Sequence, residues 1–141
     1  MMTGVWVAAA VLAAATVFGL VRRHRDGRLR ARDGKDAVTD ILGPDDIGVP
    51  LGEKATLVQF SSAFCAPCRA TRRVLGEVTE MVAGVAHVEL DAEANLELVR
   101  RLNVVRTPTV VVLDASGRVV RRASGAPRKA DVIAALGGVI T

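Results

Sequence analysis

The amino-acid sequence predicts an α/β sandwich with a mixed central sheet, and three observations carry this prediction. From Ala55 onward, short apolar runs typical of strands alternate with segments of helical periodicity, the order that produces parallel β-α-β units. Turn-forming residues at 114–117 separate the last two apolar runs and predict an antiparallel hairpin. The chain has 141 residues with 50% hydrophobic content, which suits one compact domain.

Each element follows from its own local pattern. Apolar and β-branched residues predict strands over 55–60, 85–90, 109–113 and 118–123. Periodic apolar positions predict helices over 65–82, 94–102 and, behind a proline, 128–136. Before the first strand, Val38, Ile41 and Leu42 have the spacing of a short helical turn that Gly43 and Pro44 would end.

An apolar stretch precedes the domain. Residues 4–21 carry no charge over 18 positions, which as a helix is about 27 Å, near the thickness of a bilayer core. We therefore predict one N-terminal transmembrane helix, with a cleaved signal or a detached tail as the alternatives. The chain then divides into an anchor at 1–21, a basic juxtamembrane segment and linker at 22–51, and the α/β domain at 52–141.

The charges that flank this stretch predict its orientation. Residues 22–35 hold seven cationic and two acidic side chains, whereas nothing charged precedes Gly4 except the terminal amine. Positive charge after the apolar run favours an anchor with its N-terminus outside and the domain in the cytoplasm. An outward-facing domain is the alternative. We predict that the basic cluster either binds anionic lipid head groups or serves only as a topology signal with no specific ligand.

The same cluster accounts for the basic character of the whole chain. Residues 36–141 carry twelve Lys and Arg against thirteen Asp and Glu, so the domain itself is not basic. The chain holds four aromatic residues: Trp6, Phe18, Phe60 and Phe64. Because the positive charge is confined to the membrane flank, we predict no nucleic-acid partner.

The cysteines predict the chemistry. Cys65 and Cys68 are the two cysteines of the chain, and they lie where a strand opens into a helix. Helix N-termini stabilise thiolates, so Cys65 is a candidate nucleophile towards disulfides and Cys68 a candidate resolving thiol. Half of a zinc site, a structural disulfide and two inert thiols are the alternatives. The predicted redox centre is the Cys65–Cys68 disulfide, with no metal and no other cofactor.

Several motifs occur in an order that resembles the thioredoxin family. They are the runs Phe60–Arg69, Val88–Asp91, Arg106–Thr109, Val111–Val120 and Ser124–Ala126. The resemblance covers about residues 52–138 and implies a three-layer sandwich with Pro108 in a cis-proline loop. It also implies a substrate groove formed by Phe64, Pro67, Thr107, Pro108 and Gly125.

The resemblance further implies the partners. Protein thiols and disulfides would be the substrates, and a thioredoxin-reductase-like protein or a membrane donor would supply electrons. The predicted function is a membrane-tethered thiol–disulfide oxidoreductase that acts as a reductant in the cytoplasm. The alternatives are an outward-facing reductase of exported thiols, of the cytochrome-maturation type, and a non-enzymatic module that binds a partner or a metal.

Among the positions that depart from the family pattern, two concern the handling of protons. Gln59 stands where the family usually keeps a buried aspartate that handles the proton of the second cysteine, and Glu89 stands where it usually has a lysine. Because Gln59 cannot take up a proton, Glu89 becomes a candidate for proton handling, with a pKa raised by partial burial. The alternative is that Gln59 only hydrogen-bonds the backbone and Glu89 is solvated.

Overall fold

A long apolar helix precedes the domain. The computed structural model describes residues 1–31 and 40–141. Helix α1 spans Met2–Arg25, and none of its residues is buried. Its most apolar 18-residue window has a mean hydropathy of 2.2, so it is long and apolar enough to cross a membrane, although an N-terminal signal sequence would have the same properties.

The domain is built on a mixed sheet. Its strands are β1 (Arg30–Ala31), β2 (Ala55–Ser61), β3 (Val85–Asp91), β4 (Thr109–Asp114) and β5 (Val119–Ser124). Their order across the sheet is β1-β5-β4-β2-β3. Strand β2 runs parallel to β3 and antiparallel to β4, and β4 and β5 form the predicted hairpin. All seven residues of β2 are buried, as expected of a strand covered on both faces.

Helices cover both faces of this sheet. The remaining helices are α2 (Pro44–Ile47), α3 (Ala66–Met81), α4 (Leu96–Arg101) and α5 (Lys129–Ile140). Helices α3 and α5 pack on one face through Leu75, Val78, Val132 and Leu136. The other face is covered by Leu42, Ile47, Leu98 and Leu102. The predicted three-layer α/β arrangement is therefore confirmed, with small shifts at the element ends.

The segment before β2 differs from its prediction. The expected helical turn through Ile41 and Leu42 is wrong: Ile41 forms an isolated β-bridge with Arg118, and the helix begins at Pro44 instead of ending there. Proline suits the first turn of a helix because the N–H it lacks would have no partner in the helix. Leu42 is fully buried in the core, so this segment is part of the folded domain. Val38 lies outside the described residues.

The chain joins α1 to the domain through a short segment, residues 26–31, which we call the tether. Strand β1 of the tether pairs with β5 and so forms one edge of the sheet. The N–H of Gly27 donates to the carbonyl oxygen of Ser124 at 2.8 Å. Gly27 has φ +77, and a Cβ there would lie 2.1 Å from the carbonyl oxygen of Ala126. A residue with a side chain would therefore force the tether away from the sheet.

Candidate active site

The two cysteines lie where β2 leads into α3. Cys65 is the N-cap residue of α3, and the N–H of Cys68 donates to its Sγ at 3.2 Å. The two sulfur atoms are joined in a disulfide with an S–S distance of 2.09 Å. Cys68 is 2% exposed, whereas Cys65 is partly exposed. The structure thus exposes Cys65 in part and buries Cys68 within the first turn of the helix.

This position suits thiol chemistry. The first turn of a helix has N–H groups without helical partners and the positive end of the helix dipole. Both favour the thiolate form of a cysteine at the N-cap, and the thiolate is the nucleophile in disulfide exchange. The reduced form of the pair would therefore have its reactive sulfur at Cys65.

The loop that contains Thr107 and Pro108 (the proline loop) lies against the loop that contains Ser62 and Cys65 (the cysteine loop). The Thr107–Pro108 peptide bond is cis, as expected. The hydroxyl groups of Ser62 and Thr107 form a hydrogen bond of 2.8 Å, which joins the two loops. The N–H of Gly125 donates to the carbonyl oxygen of Pro108 at 2.7 Å. The cysteine loop, the proline loop and the end of β5 therefore lie side by side.

A cleft of about 820 Å³ opens at this junction. Four of the five predicted groove residues line it: Pro67, Thr107, Pro108 and Gly125. We call it the active-site cleft. Phe64 does not line the cleft; its side chain is fully exposed, and its φ of 59° is uncommon for a bulky residue. The structure thus turns this ring towards solvent beside the disulfide.

Gln59 lies beneath the second cysteine. Its side chain is fully buried, and its Nε2 donates to the carbonyl oxygen of Cys68 at 2.8 Å and to Ser61 Oγ at 3.0 Å. Its Oε1 lies 3.2 Å from His87 Nε2. The uncharged amide thus uses both its donor group and its acceptor: it bonds the helix backbone, as the alternative interpretation predicted, and it also bonds the side chains of Ser61 and His87.

His87 is a member of this cluster that the sequence analysis did not identify. Burial lowers the pKa of His87, although the Glu89 carboxylate opposes the effect, so the ring is neutral at pH 7. The register of the predicted strands β2 and β3 could have identified His87. Gln59 pairs with Glu89 across parallel strands, and His87 is two residues before Glu89 on the same face.

Glu89 has a cationic partner in α3. Arg72 donates from Nη2 to Glu89 Oε1 at 2.6 Å, and its Nε hydrogen-bonds Oε2. These hydrogen bonds lower the pKa of Glu89, and burial opposes them only in part. The expectation of a raised pKa was therefore wrong, because it took no account of Arg72. At neutral pH this carboxyl group is ionised.

We expect a Glu89→Gln variant to keep turnover within about twofold of the wild-type value, because exposed ion pairs contribute little. The pKa of Glu89 is lowered by its hydrogen bonds to Arg72, so we expect no pH dependence from this carboxyl group between pH 6 and 8. The measurement is the rate of disulfide reduction across that range, with Arg72→Gln as the matched variant that removes the same ion pair. A loss of roughly 10-fold in Glu89→Gln alone would instead assign a proton-transfer role to the carboxylate.

The described residues offer no obvious metal site. Within residues 1–31 and 40–141, no three His, Cys, Asp or Glu side chains are grouped so that they could hold a metal ion. The two sulfur atoms are bonded to each other.

Comparison with known proteins agrees with this geometry. The sequence model of the thioredoxin family matches residues 48–137. A thioredoxin of Mycobacterium bovis is 34% identical over 88 residues, which are 62% of this chain and 75% of that protein. A bifunctional thioredoxin reductase/thioredoxin of Mycobacterium leprae is 33% identical over 88 residues, which are 62% of this chain and 19% of that protein.

A solved structure shows the same fold. A mutant thioredoxin from Halobacterium salinarum is similar with a TM-score of 0.57 and 19% identity, over 63% of this chain and 77% of that one. At this level of identity, the similarity concerns the fold alone. Fold, cysteine pair and family match agree: the chain belongs to the thioredoxin family and is a thiol–disulfide oxidoreductase.

Proposed function

We propose that this protein is tethered to a membrane by α1 and reduces protein disulfides on the cytoplasmic side. One observation carries the proposal: a thioredoxin-type disulfide, beside the active-site cleft, lies on a chain whose exposed N-terminal helix of 24 residues carries no charge over residues 4–21. An exposed apolar helix of that length needs a lipid environment. The exposed ring of Phe64 would contact the substrate protein beside the disulfide.

The proposed reaction conserves electrons and protons. The Cys65 thiolate attacks one sulfur of a substrate disulfide, which forms a mixed disulfide and releases the other substrate sulfur as a thiolate. The Cys68 thiolate then attacks Cys65 Sγ, which releases the second substrate sulfur as a thiolate and leaves the Cys65–Cys68 disulfide. The two substrate thiolates take up the two protons that Cys65 and Cys68 have lost. Two electrons and two protons from a donor restore the dithiol.

A thioredoxin-reductase-like protein is the proposed electron donor. The Mycobacterium leprae relative carries the names of both the reductase and thioredoxin in one chain, which supports this choice. A membrane-bound electron donor is the other class of protein that we consider for a tethered thioredoxin. Either donor must reach the disulfide from the side on which the domain lies.

The orientation is proposed from charge. The last turn of α1 contains Arg22, Arg23, His24 and Arg25, and its first turn has no acidic residue. Positively charged flanks remain on the cytoplasmic side of a membrane span. The domain, which follows these residues, would therefore face the cytoplasm.

Thiol labelling of intact cells that express the chain tests this orientation. The cells are treated with a membrane-impermeant phosphine reductant and then with a membrane-impermeant maleimide. We expect Cys65 and Cys68 to be labelled only after lysis. Labelling before lysis would place the domain outside and favour a reductase of exported thiols.

A matched control reports on the other end of the helix. In a chain without Cys65 and Cys68, a Thr3→Cys substitution places one thiol before the apolar stretch. We expect this thiol to react in intact cells. If neither end were labelled before lysis, α1 would not span the membrane.

A further inference from the structure

The active-site cleft has a wall that does not belong to the family-matched domain. It is lined by residues of α1 and the tether, which precede the match at 48–137: Leu20, Arg23, His24, Asp26 and Arg28. They face the same space as Pro67 and Pro108. A substrate chain that reaches the disulfide through this cleft would therefore contact the anchor of the protein as well as its catalytic loops.

The tether is held in this position by three contacts. Gly27 bonds the backbone of Ser124, and strand β1 pairs with β5. Asp26 forms an ion pair of 3.0 Å with Arg106, whose guanidinium group also donates to the carbonyl oxygen of Ser124. The contact surface includes backbone hydrogen bonds that do not depend on side-chain charge. This wall is therefore a built part of the site.

The cleft is positively charged. Its charged lining consists of four arginines and two aspartates, a net charge of +2. Asp26 pairs with Arg106, and Asp131 pairs with Arg128 at 2.9 Å. In the part of the chain that the structure describes, the other two arginines, Arg23 and Arg28, have no ion-pair partner; both are exposed.

We propose that Arg23 and Arg28 make the tether a specificity element, which selects substrate segments with acidic residues beside the target disulfide. The proposal rests on the proposed reductase function. Guanidinium groups bind carboxylates through paired, charge-assisted hydrogen bonds. An extended peptide is the occupant that the cleft favours, because the cleft adjoins the loop of the disulfide and a substrate must pass there to react.

The test compares two synthetic peptides. Each contains one disulfide, flanked by aspartates in one peptide and by lysines in the other. The full chain is embedded in phosphatidylcholine nanodiscs and reduced, and the second-order rate constant for its oxidation by each peptide is measured. We expect the acidic peptide to react roughly 10-fold faster, the effect of one or two charge-assisted hydrogen bonds.

Three variants locate the origin of this preference. Arg28→Glu should abolish it, because three arginines and three carboxylates then line the cleft and its net charge falls from +2 to zero. Gly27→Ala should abolish it without changing any charge, because the added Cβ forces the tether away from Ala126. Arg100→Glu makes the same charge change on α4, outside the cleft, and should keep the preference.

The outcomes separate this inference from the proposed function. Equal rates with both peptides, or an equal loss in Arg28→Glu and Arg100→Glu, would overturn the specificity role alone. No reaction with either peptide or with a small aromatic disulfide would overturn both.

In nanodiscs that contain phosphatidylglycerol, wild type and Arg28→Glu face the same membrane charge. If their difference disappeared only there, the arginines would bind lipid head groups, and the peptide proposal would be wrong.

Discussion

A Cys68→Ser variant is expected to accumulate stable mixed disulfides with its substrates, whereas a Cys65→Ser variant is expected to form none. The chain has two cysteines, so Cys68→Ser leaves no thiol that could resolve a mixed disulfide at Cys65. The remaining thiol of Cys65→Ser is 2% exposed and belongs to the first turn of α3. A substrate disulfide cannot approach it in line.

Turnover should fall to the uncatalysed rate in both variants, because each lacks one of the two exchange steps. Non-reducing gel electrophoresis after a thiol-blocking quench measures the trapped species. Serine is close in size to cysteine, so differences in folding should be small. Circular dichroism of each variant checks this point. Equal trapping by both variants would contradict the assignment of Cys65 as the attacking thiol.

A Gln59→Glu variant is expected to lose stability as the pH rises. Glutamate has the shape of glutamine, but its carboxylate would face the carbonyl oxygen of Cys68 in a fully buried position. Burial and a hydrogen bond that only the neutral acid can donate both raise the pKa of such a group. The folded state then binds more protons than the unfolded state above the ordinary pKa of Glu.

The sign and size of this effect follow from that proton difference. The stability of Gln59→Glu relative to wild type should fall as the pH rises from about 4 and level off above the raised pKa. Each unit of increase costs about 1.4 kcal/mol, so a rise of two to four units gives roughly 3 to 5 kcal/mol at pH 8. Urea unfolding of the full chain in non-ionic micelles, followed by circular dichroism, measures the difference.

Gln59→Met is the matched control, since it removes the same hydrogen bonds without adding an ionisable group. Its cost should be roughly 1 to 3 kcal/mol for the polar partners left unsatisfied, and it should not vary between pH 5 and 8. His87 is the titratable neighbour of this position, and burial lowers its pKa. A pH-independent loss in Gln59→Glu would show that the carboxylate remains ionised in the folded state.

The backbone of the domain could be predicted from the sequence because its signals are local. The alternation of apolar runs and helical segments gave four strands and three helices close to their observed limits. The position of Cys65 at the start of a helix follows from the strand before it and Pro67 after it. The cis bond at Pro108 came from the family resemblance and not from periodicity.

The side-chain partners around the site could not be predicted in the same way, because they depend on contacts between distant segments. Arg72 and Glu89 are 17 residues apart, and Gln59 and His87 are 28 apart. The strand register places each pair on a common face, but it does not say which cation in α3 reaches the carboxylate. The wall formed by the tether depends on β1 pairing with β5, and a two-residue strand leaves no periodic signal.

Strand β3 lies at the end of the described sheet, opposite the edge that the tether covers. A strand in that position has backbone donors and acceptors that another copy of the chain can pair with, which is a common route to aggregation. Charged side chains on such a strand oppose that pairing, and β3 carries the carboxylates Glu89 and Asp91. Glu89, for which we expect no step in disulfide exchange, would therefore still help to keep copies of the purified protein apart.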